Sequence, residues 1–201
     1  MARKLCILTK VRNMKNSSEL PHIDELVSYF ANIEKDSWQR TCDVLFQAYE
    51  ANQRVWLAGN GGNAANAYHF ATDWNKGLFV ATGKPLESRT LGDNPALMSA
   101  LSNDLPFEQI FSEQLRMWAA KGDVVVLMSG GGTSINILKA ADTAHELGLK
   151  VIGLTGGKGM LIHEKFDYHI HVPTDNIQIV EDVHAAFGHV VFKYICSKLE
   201  V

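Results

Sequence analysis

Short apolar runs alternate along this chain with longer segments whose apolar residues recur every three or four positions. Five runs have the composition of β-strands: residues 55–58, 88–91, 123–128, 151–154 and 168–172. The periodic segments, typical of helices, cover residues 21–51, 63–75, 94–103, 107–119, 134–147 and 176–199. The first periodic segment is long enough for one or two helices.

Strands that alternate with helices of ten or more residues predict right-handed crossovers and a parallel sheet. The strands are apolar with little alternation, as in a sheet covered on both faces. We therefore predict an α/β three-layer sandwich with an N-terminal helical extension, formed as a single domain over residues 19–201. Residues 1–18 contain five basic residues and no acidic one, and are predicted to form a flexible basic arm.

Composition narrows the class of protein. Of the 201 residues, 46% are hydrophobic and 20% are charged, which is typical of a globular protein and excludes extensive disorder. The formal net charge of −3 gives no sign of nucleic-acid binding, and no apolar run is long enough to span a bilayer. Three widely spaced cysteines form neither a disulfide framework nor a zinc knuckle, so we expect a cytoplasmic protein.

Two glycine-rich turns, residues 59–63 and 129–134, each follow a predicted strand and precede a predicted helix. Ligands bind at this edge of open parallel sheets, where glycines let backbone N–H groups approach an anion and the helix N-terminus favours negative charge. The second turn also offers hydroxyl donors. The residues we expect to bind a phosphorylated ligand are Asn60, Gly61, Gly62, Asn63, Ser129, Gly131, Thr133 and Ser134.

A nucleotide is the weaker alternative at these turns. Residues 59–64 formally match the dinucleotide fingerprint, but no acidic residue stands at the end of a second strand about 20 positions later. Neither turn ends in the Gly-Lys-Ser/Thr of a P-loop. The pattern therefore favours a sugar monophosphate, with no nucleotide cofactor.

Four segments resemble the bacterial phosphoheptose isomerases, which have the sugar isomerase (SIS) fold. They are residues 59–62 (GNGG) with 67–71 (AYHFA), 101–104 (LSND) with 107–108 (FE), 129–136 (SGGGTSIN) and 175–178 (DNIQ). The resemblance runs from about residue 25 to the end of the chain. It implies conversion of sedoheptulose 7-phosphate into a heptose 7-phosphate for lipopolysaccharide or related glycans, a homotetramer with shared active sites, and in some members a bound zinc ion.

The resemblance also assigns roles to residues of this chain. It places His69 at the metal-binding histidine, Asp73 at the catalytic glutamate, and Asp104, Asp175 and Gln178 among the substrate-binding residues. His69 and Asp73 are four positions apart, so they share one face of a helix. Asp73 is one methylene shorter than the family's glutamate, and serines of the family pattern are replaced by Asn63 and Gly131.

The last helix departs further from the family. Counted from Gln178, the family's second catalytic histidine would fall at Ala186. His189 lies on the same helical face as Gln178, whereas His184 points elsewhere, and Asp182 is a further candidate on that face. We therefore predict Asp73 and His189 as catalytic residues. The predicted metal ligands are His69, Asp73, Gln178 and His189.

Three functions follow in order of preference. The first is a phosphosugar isomerase that interconverts a ketose phosphate and an aldose phosphate, most simply sedoheptulose 7-phosphate and a heptose 7-phosphate. The second is a non-catalytic sugar-phosphate-binding protein that acts as a regulator or scaffold. A nicotinamide-dependent oxidoreductase ranks well below both.

Overall fold

The computed structural model describes residues 20–201, so the predicted arm of residues 1–18 lies outside the described residues. Contacts divide the chain into two units, which meet in sequence between Ile33 and Glu34. Within the first unit, helix α1 (Pro21–Ala31) starts with a proline, which suits the first turn of a helix.

The second unit, Glu34–Val201, alternates strands and helices as the sequence predicts. Its strands are β1 (Val55–Gly59), β2 (Ser88–Thr90), β3 (Val124–Ser129), β4 (Lys150–Gly156) and β5 (Tyr168–Val172). Its α-helices are α2 (Lys35–Ala51), α3 (Gly62–Thr72), α4 (Leu78–Thr82), α5 (Pro95–Asp104), α6 (Ile110–Trp118), α7 (Ile135–Leu147) and α8 (Ile177–Lys198). A π-helical turn (Asp73–Gly77) joins α3 to α4, and 3₁₀ turns cover Phe107–Gln109 and Gly157–Lys165.

The five strands form one parallel sheet in the order β2-β1-β3-β4-β5. In the register, Gly59 lies beside Met128 and Ser129 lies beside Thr155, so β1, β3 and β4 end at the same edge. The chain moves outward from β1 to β2 and then returns to β3 on the other side of β1. The order therefore reverses between β1 and β3, which is where open α/β sheets bind ligands.

Helices cover both faces of the sheet. On one face, α6 and α7 pack against Val125 and Leu127 of β3 and Val151 of β4. On the other face lie α2, α3 and α8. Every residue of β1 and β3 is buried, which explains their unbroken apolar sequence. The predicted three-layer α/β sandwich is confirmed.

The apolar periodicity of residues 21–51, predicted to form one or two helices, forms α1 and α2, and α2 ends at Asn52, which adopts a left-handed conformation with φ of 55°. One predicted helix differs from its observed extent. The helix predicted over residues 63–75 continues through the π-helical turn into α4. No helix within residues 20–201 has both the length and the apolar character needed to cross a membrane.

Candidate active site

The two glycine turns meet where the strand order reverses. Asn60, after β1, and Asn136, at the start of α7, exchange two side-chain hydrogen bonds: each Nδ2 donates to the partner's Oδ1, at 3.0 Å and 2.9 Å. The Asn136 side chain is buried. The pair joins the first turn to the start of α7, so the Asn60 amide helps to hold the two turns together; its binding of substrate stays a prediction.

The first turn requires glycine at Gly61 and lies close to α8 at Gly62. Gly61 has φ of 56° and ψ of −126°, a conformation that side-chain-bearing residues avoid. A Cβ at Gly62 would overlap the carboxylate of Glu181 from α8. Glu181 is a neighbour of this turn that our sequence analysis did not name. Its partner is a glycine 119 positions away, so no local sequence pattern marks the contact.

The second turn is held by its own hydroxyls and by the segment after β4. Ser129 Oγ and Ser134 Oγ are 3.0 Å apart, and the carbonyl of Gly131 accepts a hydrogen bond from the Lys158 N–H at 3.3 Å. Asp175 lies beside this segment, because a Cβ at Gly157 would be 3.2 Å from Asp175 Oδ1. Ser134 takes the N-cap position of α7, but its side chain bonds Ser129 and makes no capping hydrogen bond.

A cluster of two imidazoles and a carboxylate lies between α3 and α8. His69 Nε2 is 2.8 Å from His189 Nε2, and Asp73 Oδ2 lies 3.7 Å and 3.6 Å from these two nitrogens. Asp73 is half-buried, whereas both histidines are exposed. The structure thus brings together His69, Asp73 and His189, three residues that the sequence analysis selected.

Close packing of two helices makes this meeting possible. A Cβ at Gly188 of α8 would overlap the ring of Phe70 on α3, so the helices approach at a distance that only glycine permits. Trp74 Nε1 donates a hydrogen bond to the Gly188 carbonyl at 3.0 Å in the buried layer below. His69 precedes Phe70 in the sequence and His189 follows Gly188. The close contact of α3 and α8 therefore places the two histidines side by side.

The donor set of the cluster suits a zinc ion. Imidazole nitrogens and a carboxylate oxygen are ordinary zinc ligands, and bonds of about 2.0–2.2 Å put tetrahedral ligand atoms roughly 3.4 Å apart. The observed separations of 2.8, 3.6 and 3.7 Å bracket that value. Gln178 does not fit the same ion, since it precedes His189 by eleven residues, or about 16 Å along the helix axis.

Asn63, on the first turn of α3, has a buried partner. Its Oδ1 is 2.7 Å from Nδ1 of His184 on α8, and both side chains are almost fully buried, with exposed fractions of 2% and 1%. Burial lowers the pKa of His184 to about 3, although the Thr155 backbone acts in the opposite direction, so the ring is neutral near pH 7.

A pocket of about 220 Å³ opens beside the first turn, on the β2 side of β1. Tyr68, Met98 and Phe111 line it together with the backbone of the turn. The Tyr68 hydroxyl donates a hydrogen bond to the Gly92 carbonyl across this pocket. The remaining predicted residues, Thr133, Asp104 and Gln178, are exposed. Asp104 accepts a hydrogen bond from the Asn103 side chain at 2.9 Å.

The fold and the two turns at its strand-order reversal agree with one family. The model of the SIS domain matches residues 21–156, and this chain belongs to the SIS-domain family.

Within that family the chain is similar to phosphoheptose isomerases. The phosphoheptose isomerase of Rhodospirillum rubrum is 37% identical over 148 residues, which are 74% of this chain and 78% of that protein. That of Mycobacterium tuberculosis is 34% identical over 153 residues, 76% of this chain and 78% of its own. The structure of phosphoheptose isomerase from Neisseria gonorrhoeae superposes with a TM-score of 0.79 at 29% identity, covering 88% of this chain and 96% of that chain.

Proposed function

We propose that this protein is a phosphoheptose isomerase that interconverts sedoheptulose 7-phosphate and a heptose 7-phosphate aldose, in a route to lipopolysaccharide or a related glycan. The observation that carries the proposal is the cluster of His69, Asp73 and His189 at one end of α3, with an anion-binding turn at the other end. From Gly62 to His69 the helix rises about 10 Å. An extended seven-carbon sugar, with bonds of about 1.5 Å, separates its phosphate from its reacting carbons by a similar distance of roughly 10 Å.

The phosphate end of the substrate is assigned to the two turns. Backbone N–H groups at the starts of α3 and α7, the hydroxyls of Ser129, Thr133 and Ser134, and the amide of Asn63 are the proposed donors. Asp175 and Gln178 stand at the start of α8, next to the second turn, where they suit the sugar hydroxyls. This division assigns Gln178 to the substrate.

Asp73 is the proposed base for the proton that moves between C1 and C2 of the sugar. Its Oδ2 faces both imidazoles, so we assign Oδ1 to the proton transfer. His189 is exposed, and it is the proposed group that exchanges a proton with the neighbouring sugar oxygen; its Nε2 faces the cluster, so we assign Nδ1 to this transfer. A base misplaced by about 1 Å loses much of its rate, so the close contact of α3 and α8 matters for this chemistry.

His69, Asp73 and His189 are also the residues that would hold a zinc ion. The chemistry that zinc supplies when bound is Lewis-acid stabilisation of negative charge on the sugar oxygens during isomerisation. A zinc ion held by these three side chains would keep a position open for the substrate, as catalytic zinc sites do.

We also propose a cytoplasmic homotetramer in which neighbouring copies complete the site. Apolar side chains are exposed on α4, at Phe79 and Val80, and on α8 at Val190, the residue after His189, with exposed fractions of 57%, 70% and 40%. Exposed apolar groups beside a catalytic cluster are typical of a face that another protein chain covers.

Turnover of sedoheptulose 7-phosphate tests the proposed activity. We expect the purified protein to form the aldose, chelation to reduce the rate and added zinc to restore it. The variant Asp73→Asn keeps the shape of the side chain but removes the base, so the rate should fall at least a hundredfold while the phosphosugar still binds. Saturable binding with no aldose from the wild-type protein would instead support the non-catalytic regulator or scaffold.

A further inference from the structure

We infer that His184 is a positioning residue for phosphate binding: it holds the Asn63 amide so that its N–H groups face the second glycine turn. The inference rests on the proposed function only in taking the anion to be the phosphate of a sugar. Neither residue touches the cluster of His69, Asp73 and His189 through any hydrogen bond described above. His184 therefore acts on binding and not on the proton transfer.

The position of Asn63 is set from two directions. Its backbone N–H donates to the Asn60 carbonyl at 3.1 Å, and its backbone packs so tightly on Gly59 that a Cβ there would lie 2.7 Å from it. Its amide nitrogen faces the other turn, since a Cβ at Gly130 would be 3.5 Å from Asn63 Nδ2. Asn63 thus reaches from the first turn toward the second, where the phosphate is proposed to bind.

His184 determines which end of the Asn63 amide faces Gly130. A neutral imidazole has a single N–H, and Asn63 Oδ1, at 2.7 Å, is an acceptor for that N–H at Nδ1. The other ring nitrogen, Nε2, is buried and makes no hydrogen bond of normal geometry, although the Thr155 backbone is near enough to the ring to oppose the fall in its pKa. Since Oδ1 is held by His184, the two donors of Nδ2 are directed to the Gly130 side.

This pair offers a physical reason for the asparagine at position 63. A serine hydroxyl is shorter and can rotate, so it can donate to an anion without outside help. An asparagine can turn either its oxygen or its nitrogen toward the anion, and only the nitrogen is favourable. The buried histidine 121 positions later removes that ambiguity.

The test compares three variants by calorimetric titration with inorganic phosphate and by kinetics with sedoheptulose 7-phosphate. His184→Leu removes the donor, and we expect the phosphate Kd and the KM to rise at least tenfold, with kcat changed less than threefold. His184→Asn keeps a donor near the Nδ1 position and should restore both values to within threefold of wild type. Asn63→Asp keeps the acceptor for His184 but exchanges the donors for a negative charge, so phosphate binding should be lost.

Several results would overturn the inference. They are unchanged phosphate affinity in His184→Leu, equal losses in His184→Leu and His184→Asn, or a fall in kcat with KM unchanged. If His184→Leu does not fold, retained binding in His184→Asn and lost binding in Asn63→Asp still support it, and the reverse pattern contradicts it. A wild-type protein that binds phosphate without isomerising the sugar refutes the proposed activity alone, because the titration needs no turnover.

Discussion

Burial lowers the pKa of two histidines, His169 on β5 and His184 on α8. Partial burial of the ring, together with the nearby His171 and His163, lowers the pKa of His169 to about 4. Its Nε2 forms a hydrogen bond with Thr155 Oγ1 at 2.7 Å. The pKa of His171 is lowered as well, also by burial. In the unfolded chain these residues have pKa values near 6.5.

Acid should therefore destabilise this fold before the carboxylates titrate. Above pH 6.5 the histidines are neutral in both states, and their stabilising contribution is fully present. Between pH 6.5 and about 4 the unfolded chain binds protons that the folded chain does not. The free energy of unfolding therefore decreases as the pH is lowered through this range. Each such proton changes it by about 1.4 kcal/mol per pH unit.

We expect denaturant unfolding at a series of pH values to show this slope, and His169→Gln to reduce it. Glutamine preserves a donor near the Nε2 position but does not titrate. His145→Gln is the matched control. His145, in the last turn of α7, is more exposed than His169 and lies near Asp167. An unchanged slope in His169→Gln would show that His169 does not cause the acid sensitivity.

At this scale the sequence identifies much of the candidate site. The four-residue spacing of His69 and Asp73 and the helical direction of His189 are local properties, and the structure brings these residues together. The pairing of His184 with Asn63 could not be predicted. The helical direction measured from Gln178 points His184 away from the proposed site, and nothing local shows that it is directed at another element.

The crossing of α3 and α8 is the element-scale feature on which the cluster depends. The sequence predicts both helices, with α8 ending within one residue of its predicted limit. It does not predict where they touch. The contact point depends on Gly188, which faces the ring of Phe70. Nothing in the helical pattern around Gly188 marks it as the contact.

Gly188→Ala should therefore damage both stability and the cluster. The added methyl group must push Phe70 or α8 aside, and overpacking of this kind costs about 1–3 kcal/mol. We expect a lower melting temperature and zinc binding weakened at least tenfold, measured by thermal unfolding and by titration with a competing chelator. Phe70→Leu combined with Gly188→Ala makes room for the methyl group and should recover part of the affinity. Full zinc affinity in Gly188→Ala alone would contradict this account.

At the scale of the whole molecule, the order of strands decides where the site lies. The sequence predicts a parallel sheet but not the order β2-β1-β3-β4-β5, because pairing between distant strands leaves no local pattern. Because β1 and β3 are neighbours in that order, the turn after β1 lies beside the turn after β3. The sequence predicts both turns, but their contact through Asn60 and Asn136 could be found only from the strand order.

The exposed apolar side chains of α4 and α8 predict that copies of this chain assemble. A homotetramer would have a mass of about 89 kDa, four times the 22.2 kDa of the chain. Val80→Asp places a charge on the most exposed apolar side chain of α4 and should yield smaller species with reduced turnover, measured by light scattering after size exclusion. Lys121→Asp, at an exposed turn before β3, should leave the mass unchanged. A tetramer that survives Val80→Asp would assign assembly to another face.

The reciprocal contact of Asn60 and Asn136 has a consequence for the conditions under which the ligand cleft keeps its shape. Neither amide carries a net charge or titrates, so dissolved salt does not screen this pair of hydrogen bonds as it would screen an ion pair. High ionic strength should weaken capture of the anion while leaving the spacing of the two loops intact.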